Sequence, residues 1–306
     1  MTSADGASVV IPCHNYGRFL ARAIESALAQ SRPAVDITVV DDGSTDDTTD
    51  VAGRYDVTLV RQRQLGVSGA CNTGFAEARG AYALFLDADD ELERDALENL
   101  LARAATDPEA GMVYGHQQFV DEGGAPIVHR PDWERLYKTC LDQDPYRYAL
   151  RTGHPIRAPG ATLYRSAAVR AVGGYQLERA QDLDLTFRIA RAFPVLCADV
   201  VVLRSRIHGA NQIYQYAGGL TGAVVAHRRQ RAYVREHPEL EADYRTGLRV
   251  ARRYWGSRLA DQVVQQVRAG DWPSAAKGIR SLVRYAPAEA PRLVVRRVRR
   301  LVKPAR

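Results

Sequence analysis

The chain has 306 residues, 46% of them hydrophobic and 25% charged, which is globular composition and excludes a disordered, collagenous or low-complexity chain. At about 150 residues per domain, the length suits one large domain with an appendage or two domains, with room for a large core without disulfides. The net charge of +6 is uneven: residues 251–306 carry a balance of +11 and the first 250 a balance of −5, so the basicity belongs to the tail, where it suits a membrane or polyanion.

The elements alternate along the first hundred residues. Ser8 to Pro12 reads as a short buried strand, and Gly17 to Gln30 has apolar residues at helical spacing. Asp36 to Val40 is a second strand, ending in a turn whose Ser44, Thr45 and Asp46 can cap the next helix. Val57 to Val60 and Ala81 to Leu86 are further strands, with a glycine-led helix from Gly66 to Arg79 between them and another helix through about Ala105. Strands that are apolar throughout, alternating with helices, predict a parallel sheet covered on both faces. Residues 111–215 look mixed: strands at Met112–Tyr114 and Ala161–Tyr164, helices at Ser166–Ala171 and Gln181–Ala192, and an extended run from Val195 to Ile207. The chain then turns helical and Arg-rich, which places a domain boundary near Tyr216, between 1–216 and 217–306. The scattered cysteines Cys13, Cys71, Cys140 and Cys197 argue against a disulfide scaffold or zinc ribbon and fit a reducing compartment. The start, MTSADGASVVIP, lacks the pattern of a signal peptide, and no apolar run reaches the 18 residues of a bilayer span.

Ligands of open parallel sheets bind outside the carboxyl ends of the strands. His14-Asn15, Asp41-Asp42 and Asp87-Ala88-Asp89 all follow strands directly, so they should converge on one edge. Asp87 and Asp89 can hold a Mg²⁺ or Mn²⁺ by oxygen ligation, or form a solvated helix-capping turn. An EF-hand fits worse, because Leu92 occupies the place of its glycine. Asp41-Asp42 can accept hydrogen bonds from a ribose or base, or can cap the following helix; the residues alone leave both readings open. A dinucleotide fold is disfavoured because no GxGxxG follows the first strand, and no P-loop is present. Asp182 and Asp184 point in different directions on a helix, so at most one enters a site. A neutral His208 can ligate Mn²⁺.

Taken in order, VVIPCHNYGRFLARAIESALAQ, ITVVDDGSTDDT, GVSGACNTGFAEARGAYALFLDADD, GGYQLERAQDLDLTFR and RIHGANQ resemble glycosyltransferase family 2 over roughly residues 7–212. The resemblance implies a GT-A type α/β fold, with a mostly parallel central sheet, helices on both faces and a C-terminal helical extension. It implies an inverting, metal-dependent transfer from a nucleoside-diphosphate sugar, UDP-sugar favoured, to a hydroxyl acceptor, as in bacterial cell-surface polysaccharide or glycolipid synthesis. Pro12, His14, Asn15, Tyr16, Asp41, Asp42, Gly66, Asn72, Asp87 and Ala88 would line the nucleotide-sugar pocket. Asp89, with Asp87 and His208, would hold Mn²⁺ or Mg²⁺, and Asp182 takes the position of the catalytic base.

Two departures stand out: Cys71 precedes Asn72 where the family often has Arg, and Gln181 precedes Asp182 where it has Glu. Gln181 can alter acceptor hydrogen bonding. His116, Trp133, Tyr146 and His154 are acceptor-side candidates from position alone. In the tail, Leu293, Val294, Val298, Leu301 and Val302 fall near one helical face, and Arg292, Arg296, Arg299, Arg300 and Lys303 largely on the other. Such a helix can lie on an anionic membrane, as suits a cytoplasmic enzyme peripheral to the inner face and acting on a glycan or lipid-linked acceptor, or it can pack on the domain with a solvated Arg face. Nucleic acid is not expected, since no aromatic-interleaved RNA motif accompanies the Arg residues. The alternatives are a sugar nucleotidyltransferase, against which the missing glycine-rich triphosphate loop argues, and a non-catalytic sugar-nucleotide or glycan-binding protein.

Overall fold

The computed structural model describes residues 6–127, 144–153, 156, 158–209 and 215–290. Its first part runs β1 (Ala7–Cys13), α1 (Gly17–Leu28), β2 (Asp36–Asp42), α2 (Thr48–Ala52), β3 (Thr58–Gln62), α3 (Gly66–Glu77) and β4 (Tyr82–Phe85). Then come β5 (Glu91–Leu92), α4 (Ala96–Ala104), β6 (Met112–Val120), α5 (Pro145–Thr152), β7 (Thr162–Arg165), α6 (Ser166–Ala171), α7 (Gln181–Ala192) and β8 (Val195–Arg206). The described strands form one eight-stranded sheet in the order β3-β2-β1-β4-β7-β6-β8-β5.

The four strands of the first part are all parallel, as the alternating pattern predicts. Beyond them β7 runs antiparallel to both β4 and β6, and the two-residue β5 runs antiparallel to β8, so the sheet is mixed. Periodicity marks β7 as a strand but carries no information about its direction. Strand β5 is too short for any pattern and exists only by pairing with β8.

Every residue of β1 is buried, because both faces of the strand are covered. Successive side chains of a strand point to opposite faces. Val9, Ile11, Val39, Leu84 and Leu86 belong to one core cluster with Leu20 and Ile24 of α1. On the opposite face α3 lies so close that a Cβ at Gly74 would meet the side chains of Val10 and Val40. Gln30, buried after α1, donates to Glu93 O and accepts from Leu97 N at 2.9 Å, which ties α1 to the start of α4. Cys13 and Cys71 are buried free thiols, whereas Cys197 is disulfide-bonded, which the expectation of a reducing compartment did not foresee.

The chain divides into two compact units. The first holds Met1–Tyr146, Pro155–Glu178 and Leu185–Gly209, and therefore the whole sheet. The second holds Arg147–His154, Arg179–Asp184 and Ala210–Arg306, so the division is not a single cut in the chain. In the second unit α8 (Tyr216–Arg229), α9 (Arg231–Glu236), α10 (Glu241–Arg268) and α11 (Trp272–Tyr285) follow one another. Leu220 and Val224, Leu259 and Val263, and Ala275 and Leu282 from α8, α10 and α11 share a core. No helix among the described residues is long and apolar enough to cross a membrane.

The contact at Gly74 gives a direct test of the packing. Gly74→Ala is expected to lower stability by about 1–3 kcal/mol through overpacking against Val10 and Val40, read by urea unfolding.

Candidate functional site

The turns after β1 and β2 are stitched together. Asn15 sits at φ 57°, a conformation Asn tolerates better than most side chains. Its N–H donates to Ser44 Oγ at 3.0 Å, and its Oδ1 accepts from Thr45 N at 2.8 Å. His14 Nδ1 lies 2.9 Å from the Asp42 carbonyl, an acceptor, so Nδ1 carries the proton. Nε2 of His14 then accepts from Asn15 Nδ2 at 3.2 Å and Gln64 Nε2 at 3.0 Å. Pro12 lies inside β1, opposite Val40.

Asp41 and Asp42 are both buried, and both hold backbone. Asp41 accepts from Ser44 N and Thr49 Oγ1, each at 2.8 Å, with Arg61 Nε 3.6 Å away. Burial works to raise its carboxyl, but the Ser44 and Thr49 hydrogen bonds and the Arg61 charge outweigh it and hold the pKa below the ordinary value. Asp42 accepts from Gln62 Nε2 at 2.6 Å and from the N–H groups of Leu65 and Gly66 at 2.8 Å, capping α3. Asp46, read from the sequence as a cap of the next helix, accepts from Thr48 at the start of α2 and also from Gly17 N at the start of α1. A Cβ at Gly17 would meet the exposed Asp47 carboxylate and lie 3.0 Å from Thr48 N. Asn72 is likewise a clamp: its Nδ2 donates to Tyr175 O and its Oδ1 accepts from Tyr175 N, both at 2.9 Å.

The acidic turn after β4 is organised by a residue that motif reading missed. Arg206, at the end of β8, is only 1% exposed. Its guanidinium donates to the carbonyls of Asp89, Asp121 and Glu122 at 2.9–3.0 Å and pairs with Glu91. Its backbone N–H donates to Asp90 Oδ1 at 2.8 Å. With Asp89 fixed by its carbonyl, its side chain meets His208: Nε2 lies 2.9 Å from Asp89 Oδ2. His208 is buried, with its ring 4.6 Å from that of Phe19 and 5.6 Å from that of Tyr16. The ends of β1, β4 and β8 thus meet where Tyr16, Asp89 and His208 lie together.

This place concentrates negative charge. The Tyr16 hydroxyl is pushed up to about 12 by burial first and then by the carboxylates of Asp89 and Asp87. The buried Asp90 carboxyl is held well above the ordinary range by burial and by the same two neighbours, against the hydrogen bonds from Arg206 and Ser205. Among the described residues no three His, Cys, Asp or Glu side chains form a ready ligand set. Asp89 and His208 supply one hard oxygen and one imidazole nitrogen, and the surplus charge favours a cation. Those donors fit Mg²⁺ or Mn²⁺ completed by water and phosphate oxygens.

Asp182 belongs to the second unit. Ala180, at φ 53°, is the other non-glycine residue with positive φ among those described, and it turns the chain into α7. Asp184 in the same turn is buried, with Arg229 Nη1 at 3.4 Å, while Asp182 has Gln181 Nε2 at the edge of bonding distance, 3.5 Å. The two carboxylates therefore serve different ends. Asp182 is half-buried, yet the protein around it pushes its carboxyl from 3.8 up to about 7 by desolvation. Of the acceptor-side candidates, His116 bonds Asp199 at 2.7 Å and Tyr146 packs in the core against Phe187. Trp133, His154 and the amphipathic stretch of the tail lie outside the described residues.

Removing the cation from beneath the acidic turn tests its organising role. Arg206→Met is expected to cost about 3–5 kcal/mol, because Glu91 and three carbonyls lose their buried partner. Urea unfolding reads the loss.

The chain is similar to known glycosyltransferases. It is 38% identical over 153 residues to an uncharacterized glycosyltransferase of Nostoc sp., covering 48% of this chain and 46% of that protein. It is 27% identical over 211 residues to the chondroitin synthase of Escherichia coli, covering 67% of this chain and 29% of the synthase. The chain thus spans less than half the length of these two relatives. In fold it is similar to S. aureus TarS: crystal structures of TarS residues 1–349 with UDP and with UDP-GlcNAc match at TM-scores of 0.60 and 0.61 and 15% identity, covering 94% of this chain and 83% of theirs. The family model for glycosyl transferase family 2 matches residues 8–173, more than half the chain and the stretch from β1 past the acidic turn, so the protein belongs to that family.

Proposed function

We propose that the protein transfers a sugar from a nucleoside-diphosphate donor, foremost a UDP-sugar, to a hydroxyl of a glycan or lipid-linked acceptor, with inversion at the anomeric carbon. The observation that carries this reading is the buried His208 paired with Asp89 at the carboxyl end of β4, beside Asp87 and Tyr16. The TarS complexes with UDP and UDP-GlcNAc support the choice of base. Relatives named chondroitin synthase and hyaluronan synthase support a cell-surface polysaccharide as product.

In this reading Asp42 keeps acceptor capacity on Oδ2, which takes one donor from Gly66, for the base or ribose. Asp89, with Asp87 and His208, would hold Mn²⁺ or Mg²⁺, which when bound neutralises charge on the leaving diphosphate. Asp182 accepts the proton of the acceptor hydroxyl while that oxygen attacks the anomeric carbon. The bond from this carbon to the diphosphate oxygen breaks on the opposite face, and a single displacement inverts the centre. A carboxyl with a pKa of about 7 is both ionised enough and basic enough for this task at neutral pH. The basic stretch from Arg292 to Lys303 suits work at the inner face of a membrane, where a lipid-linked acceptor would lie.

Thermal shift and transfer assays separate the roles. UDP with Mn²⁺ is expected to raise the melting midpoint, and Asp89→Ala to remove that rise. Asp182→Asn should keep the rise yet lose about 10²–10⁴-fold in transfer rate; equal loss of donor binding would count against the base role. Because the ionised form is the base, the wild-type rate should climb with pH and level off above about 7. The fold bears the cost of this ionised carboxyl above its ordinary pKa of 3.8 and in full above about 7. Asp182→Asn should therefore be no less stable than wild type at pH 8.

A further inference from the structure

Helix α11 carries an exposed surface that the transfer chemistry does not use. Ala275, Gly278 and Leu282 turn inward, and a Cβ at Gly278 would meet Val263 of α10. On the other side Trp272, Ile279 and Val283 are 64%, 40% and 59% exposed. Their spacing of seven and then four residues places them on one stripe of a 3.6-residue helix. Lys277, Arg280 and Arg284 form the adjacent stripe, all exposed. Among the described residues no carboxylate pairs with any of these three, and Arg284 lies 5.4 Å from the Tyr285 ring.

We propose that this face of α11 docks on an anionic membrane surface. Trp272, Ile279 and Val283 would enter the boundary between headgroups and acyl chains, and Lys277, Arg280 and Arg284 would meet lipid phosphates. Charge decides between occupants. A second copy would bring a cationic stripe against a cationic stripe. Residues 291–306, with seven Lys and Arg and no acidic residue, would do the same. An anionic bilayer supplies apolar depth and opposite charge together, and tryptophan suits such an interface. The surface belongs to a helix too polar to span a bilayer, so contact is in the plane of the membrane. This inference does not rest on the donor, the metal or the base.

The test uses the full chain in flotation with phosphatidylcholine vesicles, with and without phosphatidylglycerol. Wild type is expected to float only with the anionic vesicles. Replacing the three cations together (K277Q, R280Q, R284Q) should weaken partitioning on the order of a hundredfold. The double change I279D and V283D should weaken it by about tenfold or more. Circular dichroism melts check that these surface variants fold, and Trp272→Ala provides a milder apolar change expected to act in the same direction. Equal flotation of all variants would overturn the proposal. So would loss only on neutralising Arg296, Arg299 and Arg300 in the tail. Loss with the cation variant but not with the apolar one would identify a polyanion site instead. A fall in mass of the lipid-free apolar variant by light scattering would identify a second copy as the occupant.

Discussion

A guanidinium removed from water must find acceptors on every side, and Arg206 finds them in segments far apart in the chain. It holds the carbonyl of Asp89, the carbonyls of Asp121 and Glu122, and the carboxylate of Glu91, while its backbone holds Asp90. Buried ion pairs contribute little net stability, but breaking one is costly. The consequence here is positional: the turn that carries Asp87 and Asp89 is fixed to the end of β8. Two residues beyond Arg206, His208 is thereby brought to Asp89. Tyr16 and Phe19 close around its ring, joining the turn after β1 to the same place.

Carboxylates in the first unit divide into those that hold the backbone and those that crowd each other. Asp41, Asp42 and Asp46 receive N–H and hydroxyl donors, and their work is to set the loops after β1 and β2 and the starts of α1, α2 and α3. For Asp41 and Asp46 these bonds overcome burial and keep the acids ionised. Asp87 and Asp89 instead raise the pKa values of their neighbours Asp90 and Tyr16. Such opposed environments for the same chemical group separate scaffold from candidate chemistry.

A similar separation operates on α7. Asp184 is buried beside Arg229, whereas Asp182 bears a desolvation cost that its neighbours do not relieve. The two non-glycine residues at positive φ among those described, Asn15 and Ala180, lie next to His14 and Gln181. Backbone strain at such positions persists where the surrounding fold over-determines it, as at functional turns.

The sequence alone determined the order of strands and helices from β1 through β4, the family, and which strands end in acids. All of these are local: burial on both faces writes apolar runs, helices write a 3.6-residue spacing, and ligand turns in such sheets follow strands. Tertiary structure alone decided what spans long separations. Strand β7 runs antiparallel between β4 and β6, and β5 exists only by pairing with β8. The tertiary structure also gave Asp42 its donors at the start of α3 and Asn72 its pair of bonds to the backbone of Tyr175, contacts that the motif does not specify. Arg206 opens the RIHGANQ segment, yet its role was not legible there, because nothing in its immediate neighbours says that its partners lie more than eighty residues away. A local pattern records which face of an element is buried, but a hydrogen-bond partner is chosen only when distant segments are packed together.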